Sequence, residues 1–445
     1  LWFEILDNVG PTDFLGYKNE TAEAIVKAIV KDGQKVESLK KGEEGIIITN
    51  QSPFYAESGG QVGDTGQIRV MDGDKALCEL EVTDTKKAAG SLWLHHVKCK
   101  HTEISHSDNV VMEVDHDRRA AIKANHTVTH LMHEALRQIL GEHVQQKGSL
   151  QDDKRTRFDI SHPKAVTGHE IQRVEDIVNR EIWANTSVTA RVMPYDEAME
   201  QGAMALFGEK YGDEVRVISM GTQAEGANKP FSVELCGGTH VNRTGEIGLF
   251  KIVSESALSS GVRRIEALTR ENAMRHFEGL EKTLQETAAT LKSSSAEVPA
   301  RVSSLNEDRK KLEQEISSLR KKLAAGSGSD TSGPDIKDIG GVKFSGQVLE
   351  DIPARDLKGM ADELKKKLGS GVIALITKNE GKASIVVAVT EDLTDNYNAV
   401  ELVKIGAEKL GGKGGGGRPD MAQAGGPNPG NANDAVDAIK GALAG

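Results

Sequence analysis

Four residues in this sequence have the types and spacing of metal ligands. His126 and His130 stand four apart in ANHTVTHLMHEALRQIL, residues 124–140, which is predicted to be a helix. Side chains four apart on a helix project from the same face. Cys236 and His240 are also four apart, in ELCGGTHV, where two glycines allow a sharp turn. Imidazole and thiolate both suit Zn²⁺, and a tetrahedral site needs ligands from more than one element, so the sequence predicts a zinc site.

Other interpretations of these histidines compete with a zinc site. A zincin requires His-Glu-x-x-His, but the pair His133-Glu134 is followed by Arg137 where the second histidine should stand. Either pair of ligands alone is more often an accident of a surface or a core. The two pairs together favour zinc, and His133 is predicted to pack beside the site. Four ligands close a zinc site whereas catalytic zinc keeps a position open, so both roles remain open.

Composition narrows the class of protein. The chain has 445 residues, 38% of them hydrophobic, and a formal net charge of −11. Any nucleic-acid binding must therefore come from local basic patches. No apolar run is long enough to cross a bilayer, and three cysteines exclude a disulfide scaffold. We expect a reducing, cytoplasmic location. The first residues, LWFEILDNVG, lack a starting methionine, and we expect the chain to be a piece of a longer protein.

The patterns along the chain predict an α+β protein of several domains. Residues 1–45 are polar and are predicted to be helical after an aromatic start. The runs GIIITNQSPF, GQIRV, LCELEV and NVVMEV are short and β-rich, and they predict a small antiparallel β-barrel over residues 46–115. Residues 116–270 predict an α+β zinc-binding domain, with helices packed on one face of a largely antiparallel sheet.

The remainder of the chain predicts three further segments. Apolar residues follow a heptad over 271–325, which favours an antiparallel helical hairpin, with two segments of a dimeric coiled coil as the alternative. Residues 326–335 are rich in glycine and serine and predict a flexible linker. Residues 336–445 predict a C-terminal α/β domain in the order β-α-β-β-α, followed by a glycine-rich loop and a last helix.

Two glycine-rich stretches stand out. FYAESGGQVGDTG, residues 54–66, predicts tight turns at which the backbone approaches another group closely. GGKGGGGRPDMAQAGGPNPG, residues 411–430, is not a Walker P-loop, because no Lys-Ser or Lys-Thr closes it. A flexible tail or a structural turn would explain it. Its successive N–H groups could also form an anion nest, to which Lys413 and Arg418 add charge.

Several long motifs resemble the C-terminal half of the alanyl-tRNA synthetase family. NHTVTHLMHEALRQILG, RFDISH, ELCGGTHVNRTGEIGLFKIVSES and GVRRIEALT resemble its editing domain, and PFYAESGGQVGDTG resembles the β-barrel before it. GGKGGGGRPDMAQAGG resembles its last domain, which is also found attached to DHH-type phosphoesterases. The resemblance begins near Phe14. One departure is GTQAEGANKPFSVELCGG, a longer approach to Cys236, which we interpret as a surface loop.

The resemblance implies an activity. Members of this family hydrolyse tRNA(Ala) that carries serine or glycine by mistake, because a pocket sized for alanine rejects serine only about 100-fold. The resemblance makes Thr129, Gln146 and Cys236 the catalytic or discriminating residues and makes Zn²⁺ the cofactor. An alanyl ester would leave the polar groups of Thr129 and Gln146 unpaired. The family's aminoacylation core has no counterpart here, so this chain is expected not to activate alanine.

The resemblance also implies tRNA(Ala) as a partner and no membrane. Residues 1–45 would end the tRNA-recognition region, and the C-terminal domain would bind tRNA and support a homodimer. The candidate tRNA-binding residues are Lys147, Arg263, Arg264, Lys413 and Arg418.

Other functions remain open from the sequence. A freestanding trans-editing deacylase, or a tRNA-binding module with only a structural zinc, fits the same residues. A DHH-type phosphoesterase is disfavoured, because the sequence contains no Asp-His-His motif.

Overall fold

The computed structural model describes most of the chain as two compact units, residues Leu1–Leu284 and Gln285–Gly445. The described residues are 1–73, 75–205, 211–223, 230–326, 336–379 and 381–444. Among the described helices, none combines the length and the apolar character that a membrane crossing requires. The mixture of helices and sheets in several parts that the sequence predicts is confirmed.

The first unit begins with a short helix and a set of strands. The helix is α1, Trp2–Val9. The strands are β1 Asp13–Phe14, β2 Thr21–Lys31, β3 Gln34–Val36, β4 Ser38–Lys40, β5 Glu44–Thr49, β6 Gln51–Ser52, β7 Gly66–Asp72, β8 Lys75–Ala88, β9 Leu92–Cys99, β10 Glu103–Ser105 and β11 Asn109–Val114.

Six of these strands close into a barrel. The order is β11-β7-β8-β9-β5-β2, β11 also pairs with β2, and β3 extends β2. All of these pairs are antiparallel. Inward residues alternate with outward ones along β11, NVVMEV, as expected of a strand with one buried face. Ile29, Ile47, Ile68 and Leu80 are fully buried in the centre.

The prediction that residues 1–45 are helical is wrong beyond α1. The segment TAEAIVKAIVK forms the long strand β2, which is part of the barrel wall. Its alanines, lysines and glutamate are good helix formers, and they obscure the β-branched residues on its buried face. Pairing with two neighbouring strands overrides this local preference, because β-structure depends on cross-strand context more than on intrinsic propensity.

The rest of the first unit packs helices on antiparallel sheets. Its helices are α2 His116–Leu140, α3 Gly168–Trp183 and α4 Tyr195–Glu200. Its strands are β12 Gln146–Gln151, β13 Thr156–Ser161, β14 Thr189–Pro194, β15 Glu214–Gln223, β16 Pro230–Leu235, β17 Phe250–Ser259 and β18 Val262–Thr269. The sheet orders are β12-β13-β18-β17 and β14-β15-β16.

Helix α2 lies at the centre of this arrangement. It starts at Asp115, whose side chain accepts a hydrogen bond from the Arg118 N–H. Most of its residues from Ile122 to Leu136 are buried, because it packs against α3, the four-stranded sheet and β16. A helix buried on nearly all sides holds its side chains firmly, which suits a position that must present ligands.

A buried ion pair joins α2 to the glycine-rich loop at 54–66. Arg119 is fully buried, and its guanidinium pairs with Asp64 and donates to the carbonyl oxygens of Gly16 and Pro53 at 2.9 and 2.8 Å. Asp64 also accepts from the Tyr55 N–H at 2.6 Å. The loop is thereby fixed against the first turn of α2. Its backbone approaches another group closely, as the glycines at 54–66 predict.

Two long helices follow, and they carry the predicted heptad. They are α5, Arg270–Leu291, and α6, Val298–Gly326. Several apolar side chains at the heptad positions of these two helices are exposed, namely Phe277, Leu280, Leu284, Val302, Leu305, Leu312, Ile316 and Leu319. The helices are therefore confirmed, whereas the hairpin or coiled coil stays a prediction. The predicted linker, apart from Gly326, lies outside the described residues.

The second unit also contains a six-stranded sheet in the order β19-β20-β21-β22-β24-β23. Strands β20 and β21 are parallel and are connected through α7. The elements are β19 Ile336–Ile339, β20 Val342–Glu350, α7 Ala354–Leu368, β21 Val372–Asn379, β22 Lys382–Val389, α8 Ala399–Lys409, β23 Gly415–Arg418, β24 Met421–Gly426 and α9 Ala432–Leu443.

The prediction of a glycine-rich loop at 411–430 is wrong in part. Much of this segment is the hairpin of β23 and β24, which extends the sheet beyond β22. Several glycines allow close packing there, since a Cβ at Gly426 would lie 2.1 Å from the Leu410 carbonyl oxygen. Lys413 and Arg418 are exposed, and Arg418 pairs with Asp420 at 3.0 Å.

Candidate metal and substrate site

The four predicted ligands converge on one point. The nearest nitrogen, sulfur or oxygen atoms of His126, His130, Cys236 and His240 all lie within 4.8 Å of one another. The Cys236 Sγ is 3.4 Å from His126 Nε2 and 3.3 Å from His240 Nε2. His126 and His130 come from successive turns of α2, and the other two come from the turn after β16. The predicted convergence is confirmed, and His133 lies outside the group.

Gln61, in the glycine-rich loop at 54–66, orients His126. Its Oε1 lies 2.8 Å from His126 Nδ1 and accepts from the Thr239 N–H at 2.9 Å, while the Gln61 Nε2 donates to the Thr239 hydroxyl. Gly238 must be glycine here, because a Cβ would lie 2.0 Å from His126 Cε1 and 2.8 Å from Gln61 Oε1. Gln61 therefore connects the barrel loop with His126 on helix α2 and with Thr239 in the CGGTH turn.

A buried carboxylate orients His130. Glu234 is 3% exposed, and its two oxygens contact His130 Nδ1 at 2.6 Å and His133 Nδ1 at 3.0 Å. The His133 ring packs edge-on against Phe158, with centroids 5.3 Å apart. His133 is thus a neighbour of the site, held by the same carboxylate as the ligand.

His240, the third histidine, is also oriented by a hydrogen bond from outside the ligand group. His240 Nδ1 lies 3.1 Å from the Thr127 hydroxyl, and that hydroxyl also accepts from the Val241 N–H. In all three histidines Nδ1 is engaged by an outer partner, so Nε2 is the atom left for the centre. Outer hydrogen bonds of this kind fix the tautomer and the ring orientation of metal-binding histidines.

The arrangement fits a zinc ion. Buried His130 Nε2 has no hydrogen-bond partner among the described residues. Burial raises the pKa of the Cys236 thiol, but His126, His240 and His130 outweigh burial and hold the pKa well below its usual value. The thiolate is the form of cysteine that binds metals. Imidazole nitrogen and thiolate sulfur both bind Zn²⁺, and four such donors match its tetrahedral coordination.

The turn that carries Cys236 is clamped from outside. Arg216 on β15 donates from Nη1 to the carbonyl oxygens of Cys236 and Gly238 at 2.9 and 2.8 Å. The Tyr17 hydroxyl donates to the Gly237 carbonyl at 2.7 Å. The Arg216 guanidinium stacks on the Tyr17 ring at 4.1 Å from its centroid, which is the geometry of a cation–π contact. Three successive carbonyls of the turn are therefore held in place.

A cavity of about 330 Å³ opens onto the ligands. Its wall includes His126, His130 and Cys236 and also Thr129 and Gln146, the residues predicted to discriminate between substrates. The Thr129 hydroxyl contacts the Thr156 hydroxyl at 2.6 Å and donates to the Asn125 carbonyl, and Gln146 Nε2 donates to the Ser149 hydroxyl at 3.2 Å. Three candidate metal ligands and hydroxyl or amide groups thus share one cavity wall.

Two candidate tRNA-binding arginines are engaged within the sheet. Arg263 binds Glu255 through Nε and Nη2 at 2.5 and 2.8 Å, and Arg264 binds Asp159 in the same two-pronged manner at 2.8 and 2.9 Å. Lys147 is an exposed residue of β12. Contact of these three residues with tRNA stays a prediction.

Sequence reasoning missed Gln61, Glu234, Arg216 and Tyr17. Glu234 had a signal, because it stands two residues before Cys236 at the end of an extended segment. Residues two apart on a strand share a face. Gln61 had a weaker signal, as a polar residue within the glycine-rich loop. Tyr17 and Arg216 had none, since they meet the site only through the tertiary fold.

Family models of known proteins match three parts of the chain. The family model for tRNA synthetases class II (A) matches residues 3–118. The model for the threonyl and alanyl tRNA synthetase second additional domain matches residues 215–266, which contain Cys236 and His240. The DHHA1 domain model matches residues 341–445.

Whole-chain relatives extend the comparison. Alanine–tRNA ligase of Rhizobium meliloti (strain 1021) is 53% identical over 449 aligned residues, and that of Chelativorans sp. (strain BNC1) is 52% identical. Each alignment covers 100% of this chain and 50% of the relative, so the chain spans about half the length of the curated relatives it matches. A crystal structure of the C-Ala domain from Aquifex aeolicus alanyl-tRNA synthetase matches 25% of this chain and 99% of that chain, with 30% identity and a TM-score of 0.24. The resemblance of the chain to the alanyl-tRNA synthetase family is thereby confirmed over its whole length.

Proposed function

We propose that this chain is an editing hydrolase that removes serine or glycine from mischarged tRNA(Ala). The observation that carries the proposal is the shared cavity wall, where His126, His130 and Cys236 meet Thr129 and Gln146. The relatives are named alanine–tRNA ligase, which supports tRNA(Ala) as the partner. A ligase that handles alanine needs a second site for serine, because a single pocket discriminates poorly against an added hydroxyl.

The four ligands would hold Zn²⁺ at the end of this cavity. When bound, zinc polarises an ester carbonyl or lowers the pKa of a bound water to about 7. In the net reaction a water oxygen bonds to the ester carbon, the bond to the ribose oxygen breaks, and the ribose oxygen takes up a proton. The chain's own residues position the ester and surround it with polar groups whose places are fixed by Asn125, Thr156 and Ser149.

Thr129 and Gln146 would supply the preference for serine. A seryl hydroxyl can share in the hydrogen bonds of these groups, whereas an alanyl methyl can neither donate nor accept and leaves their remaining hydrogen-bonding capacity unpaired. Leaving a buried polar group unpaired costs about 1–3 kcal/mol, which is about a 5- to 150-fold difference in rate constant. The glycyl ester is the second substrate, as the resemblance to the family implies.

Deacylation of Ser-tRNA(Ala), Gly-tRNA(Ala) and Ala-tRNA(Ala) by the purified chain tests the function directly. We expect faster release of serine and glycine than of alanine. Cys236→Ala should abolish release of serine and lower the zinc content, while tRNA affinity remains nearly intact. Cys78→Ala is the matched control, because Cys78 is buried in the barrel core. A Cys236→Ala variant as active as the parent would remove Cys236 from the chemistry.

One observation favours a second candidate, a tRNA-binding module with a structural zinc. Four protein donors fill a tetrahedral zinc site, and closed sites are usually structural. This candidate predicts that the chain binds zinc and tRNA but releases no amino acid. The same assay decides between the two, provided that zinc content is measured on the same samples.

The second unit would serve the tRNA rather than the chemistry. We propose that the region matched by the DHHA1 model binds tRNA, with exposed Lys413 and Arg418 among its contacts, and that it supports a homodimer. Charge reversal at both residues should weaken tRNA binding and flatten its dependence on salt, because each lost phosphate contact reduces the salt slope by about one.

A further inference from the structure

Gln151 has a buried hydrogen-bond acceptor that nothing in the described structure uses. The residue is 1% exposed, and its Oε1 has no hydrogen-bond partner among the described residues. It nevertheless belongs to the wall of the cavity that holds the metal ligands. Buried carbonyl oxygens are nearly always bonded, so an unpartnered one in a cavity wall points to a group that arrives with a ligand.

The position of Gln151 is fixed by its backbone. It is the last residue of β12, its N–H donates to the Gly60 carbonyl at 2.8 Å, and its carbonyl accepts from the Val62 N–H at 3.1 Å. The side chain therefore starts from a junction between the sheet and the glycine-rich loop of the barrel. A group held in this way keeps its place when substrate binds, as a discriminating residue must.

Glycine at position 60 leaves room beside the acceptor. Gly60 has φ +90°, and a Cβ there would lie 3.0 Å from Gln151 Oε1 and 2.3 Å from the Ser149 hydroxyl oxygen. Both the backbone conformation and the space require glycine at this point. The loop thus approaches the Gln151 side-chain oxygen closely, and no side chain at position 60 displaces it.

The neighbouring polar groups already have partners. Thr129 is bonded to Asn125 and Thr156, and Gln146 is bonded to Ser149. These groups must share or exchange a bond to receive a substrate. Gln151 Oε1 can accept a new bond without breaking one, so a donor on the substrate gains the full interaction there.

We infer that Gln151 is a specificity-determining residue whose Oε1 accepts a hydrogen bond from the aminoacyl group of the substrate. This inference rests on the proposed editing function. The ligand chemistry is an N–H or O–H donor on a small aminoacyl ester, and two sources supply it. The seryl hydroxyl occurs only in serine, whereas the α-ammonium occurs in serine, glycine and alanine alike.

Two variants separate these sources. Gln151→Met removes the acceptor and keeps the length of the side chain, and Gln151→Glu keeps an acceptor and adds a negative charge. If the donor is the hydroxyl, Gln151→Met lowers kcat/KM for Ser-tRNA(Ala) about 10-fold or more and leaves Gly-tRNA(Ala) unchanged. If the donor is the ammonium, both substrates lose by the same factor, and Gln151→Glu restores activity on both.

Binding gives a readout that does not depend on hydrolysis. The probes are 3′-amino-3′-deoxyadenosine amides of serine, glycine and alanine, which resemble the charged end of tRNA but resist cleavage. If the donor is the seryl hydroxyl, the calorimetric Kd of Gln151→Met should rise about 10-fold for the serine amide alone. If the donor is the α-ammonium, the Kd should rise about 10-fold for all three amides. Gln145→Met, on an exposed neighbour, is the control and should bind like the parent.

The outcomes separate this inference from the function on which it rests. A parent that deacylates Ser-tRNA(Ala), with a folded, zinc-containing Gln151→Met variant of equal kcat/KM and Kd, overturns the role of Gln151 and leaves editing intact. A parent that neither deacylates nor binds the amides overturns both. If Gln151→Met fails to fold, Gln151→Glu decides. A change of about fivefold or more in Kd for the serine amide alone indicates the hydroxyl, an equal change for all three amides indicates the ammonium, and unchanged Kd values overturn the role of Gln151.

Discussion

Replacing Glu234 with glutamine tests how the metal ligands are held. The carboxylate contacts Nδ1 of both His130 and His133, at 2.6 and 3.0 Å, and is almost fully buried. It is the outer partner that turns His130 Nε2 toward the other ligands. We therefore expect Glu234→Gln to weaken zinc binding while the fold is retained.

The size of the effect follows from the hydrogen bonds. A carboxylate accepts from two Nδ1–H groups at once, but a carboxamide accepts with its oxygen and presents N–H donors on the other side. One of the two rings must then rotate or change tautomer. Loss of such an outer partner typically lowers metal affinity 10- to 100-fold, which corresponds to about 1.4–2.8 kcal/mol. Because His130 is the ligand with the shorter contact, we expect the effect to lie toward the upper part of this range.

Competition with a chromophoric chelator measures the zinc affinity of parent and variant directly. Glu142→Gln, on an exposed residue before β12, is the matched control and should bind zinc like the parent. Gln61→Met removes the outer partner of His126 and should produce a loss of the same order. A folded Glu234→Gln protein with the parent's affinity would refute the view that outer hydrogen bonds orient the ligands.

Three further predictions concern stability and substrate binding. Burial lowers the pKa of His95 to about 4, so the unfolded chain is protonated first, and about 3 kcal/mol of folding free energy should be lost as the pH falls from about 6.5 to about 4. Denaturant titrations should show no such loss in His95→Gln, and an unchanged pH slope would contradict the assignment. Arg119→Met leaves the buried Asp64 carboxylate without its ion-pair partner, so the free energy of unfolding should fall by about 3–5 kcal/mol. Arg173→Met, on an exposed position, is the control and should change the free energy of unfolding very little. A fall below about 1 kcal/mol in Arg119→Met would show that the ion pair is dispensable. Cutting the chain after Ala325 should raise KM for Ser-tRNA(Ala) and leave kcat nearly unchanged in steady-state kinetics. The reason is that contacts made far from the ester are equally strong in the ground and transition states. A large fall in kcat would mean that the removed part shapes the active site.

The convergence of the four candidate metal ligands could be predicted because the geometry of each pair is local. His126 and His130 are four apart on a helix, and Cys236 and His240 are four apart around a sharp turn. Helical periodicity and glycine turn chemistry fix each pair without knowledge of the rest of the fold. Whether the two pairs lie close together depends on the tertiary structure. Because a tetrahedral zinc ion needs four ligands, the sequence still predicted that they would converge.

The outer partners could not be predicted in the same way. Gln61 precedes His126 by 65 residues and lies in a different sheet system, and Glu234 follows His130 by 104 residues. Their local sequence offers only a weak signal, since Glu234 stands two residues before Cys236 on a strand and Gln61 is a polar residue of a glycine-rich loop. Their roles depend on where α2 crosses the barrel loop and β16, which periodicity does not determine.

Two errors in the predicted fold have the same origin. Strand β2 has the composition of a helix, and the β23–β24 hairpin has the composition of a loop. In each case pairing with neighbouring strands decides the structure. Alanine and glycine add little side-chain signal of their own, and at Gly426 the small residue is required because another backbone passes within contact distance.

The glycine-rich loop at 54–66 shows why the barrel and the site must be considered together. Asp64 holds Arg119 and so fixes the start of α2, and Gln61 holds His126 one turn or more further along the same helix. The Gly60 carbonyl accepts a hydrogen bond from the N–H of Gln151, which lines the same cavity. One loop of the barrel therefore positions the helix, a metal ligand and a proposed substrate contact. Any change that moves this loop must act on metal affinity and on substrate preference at the same time, which a barrel serving only as a spacer would not do.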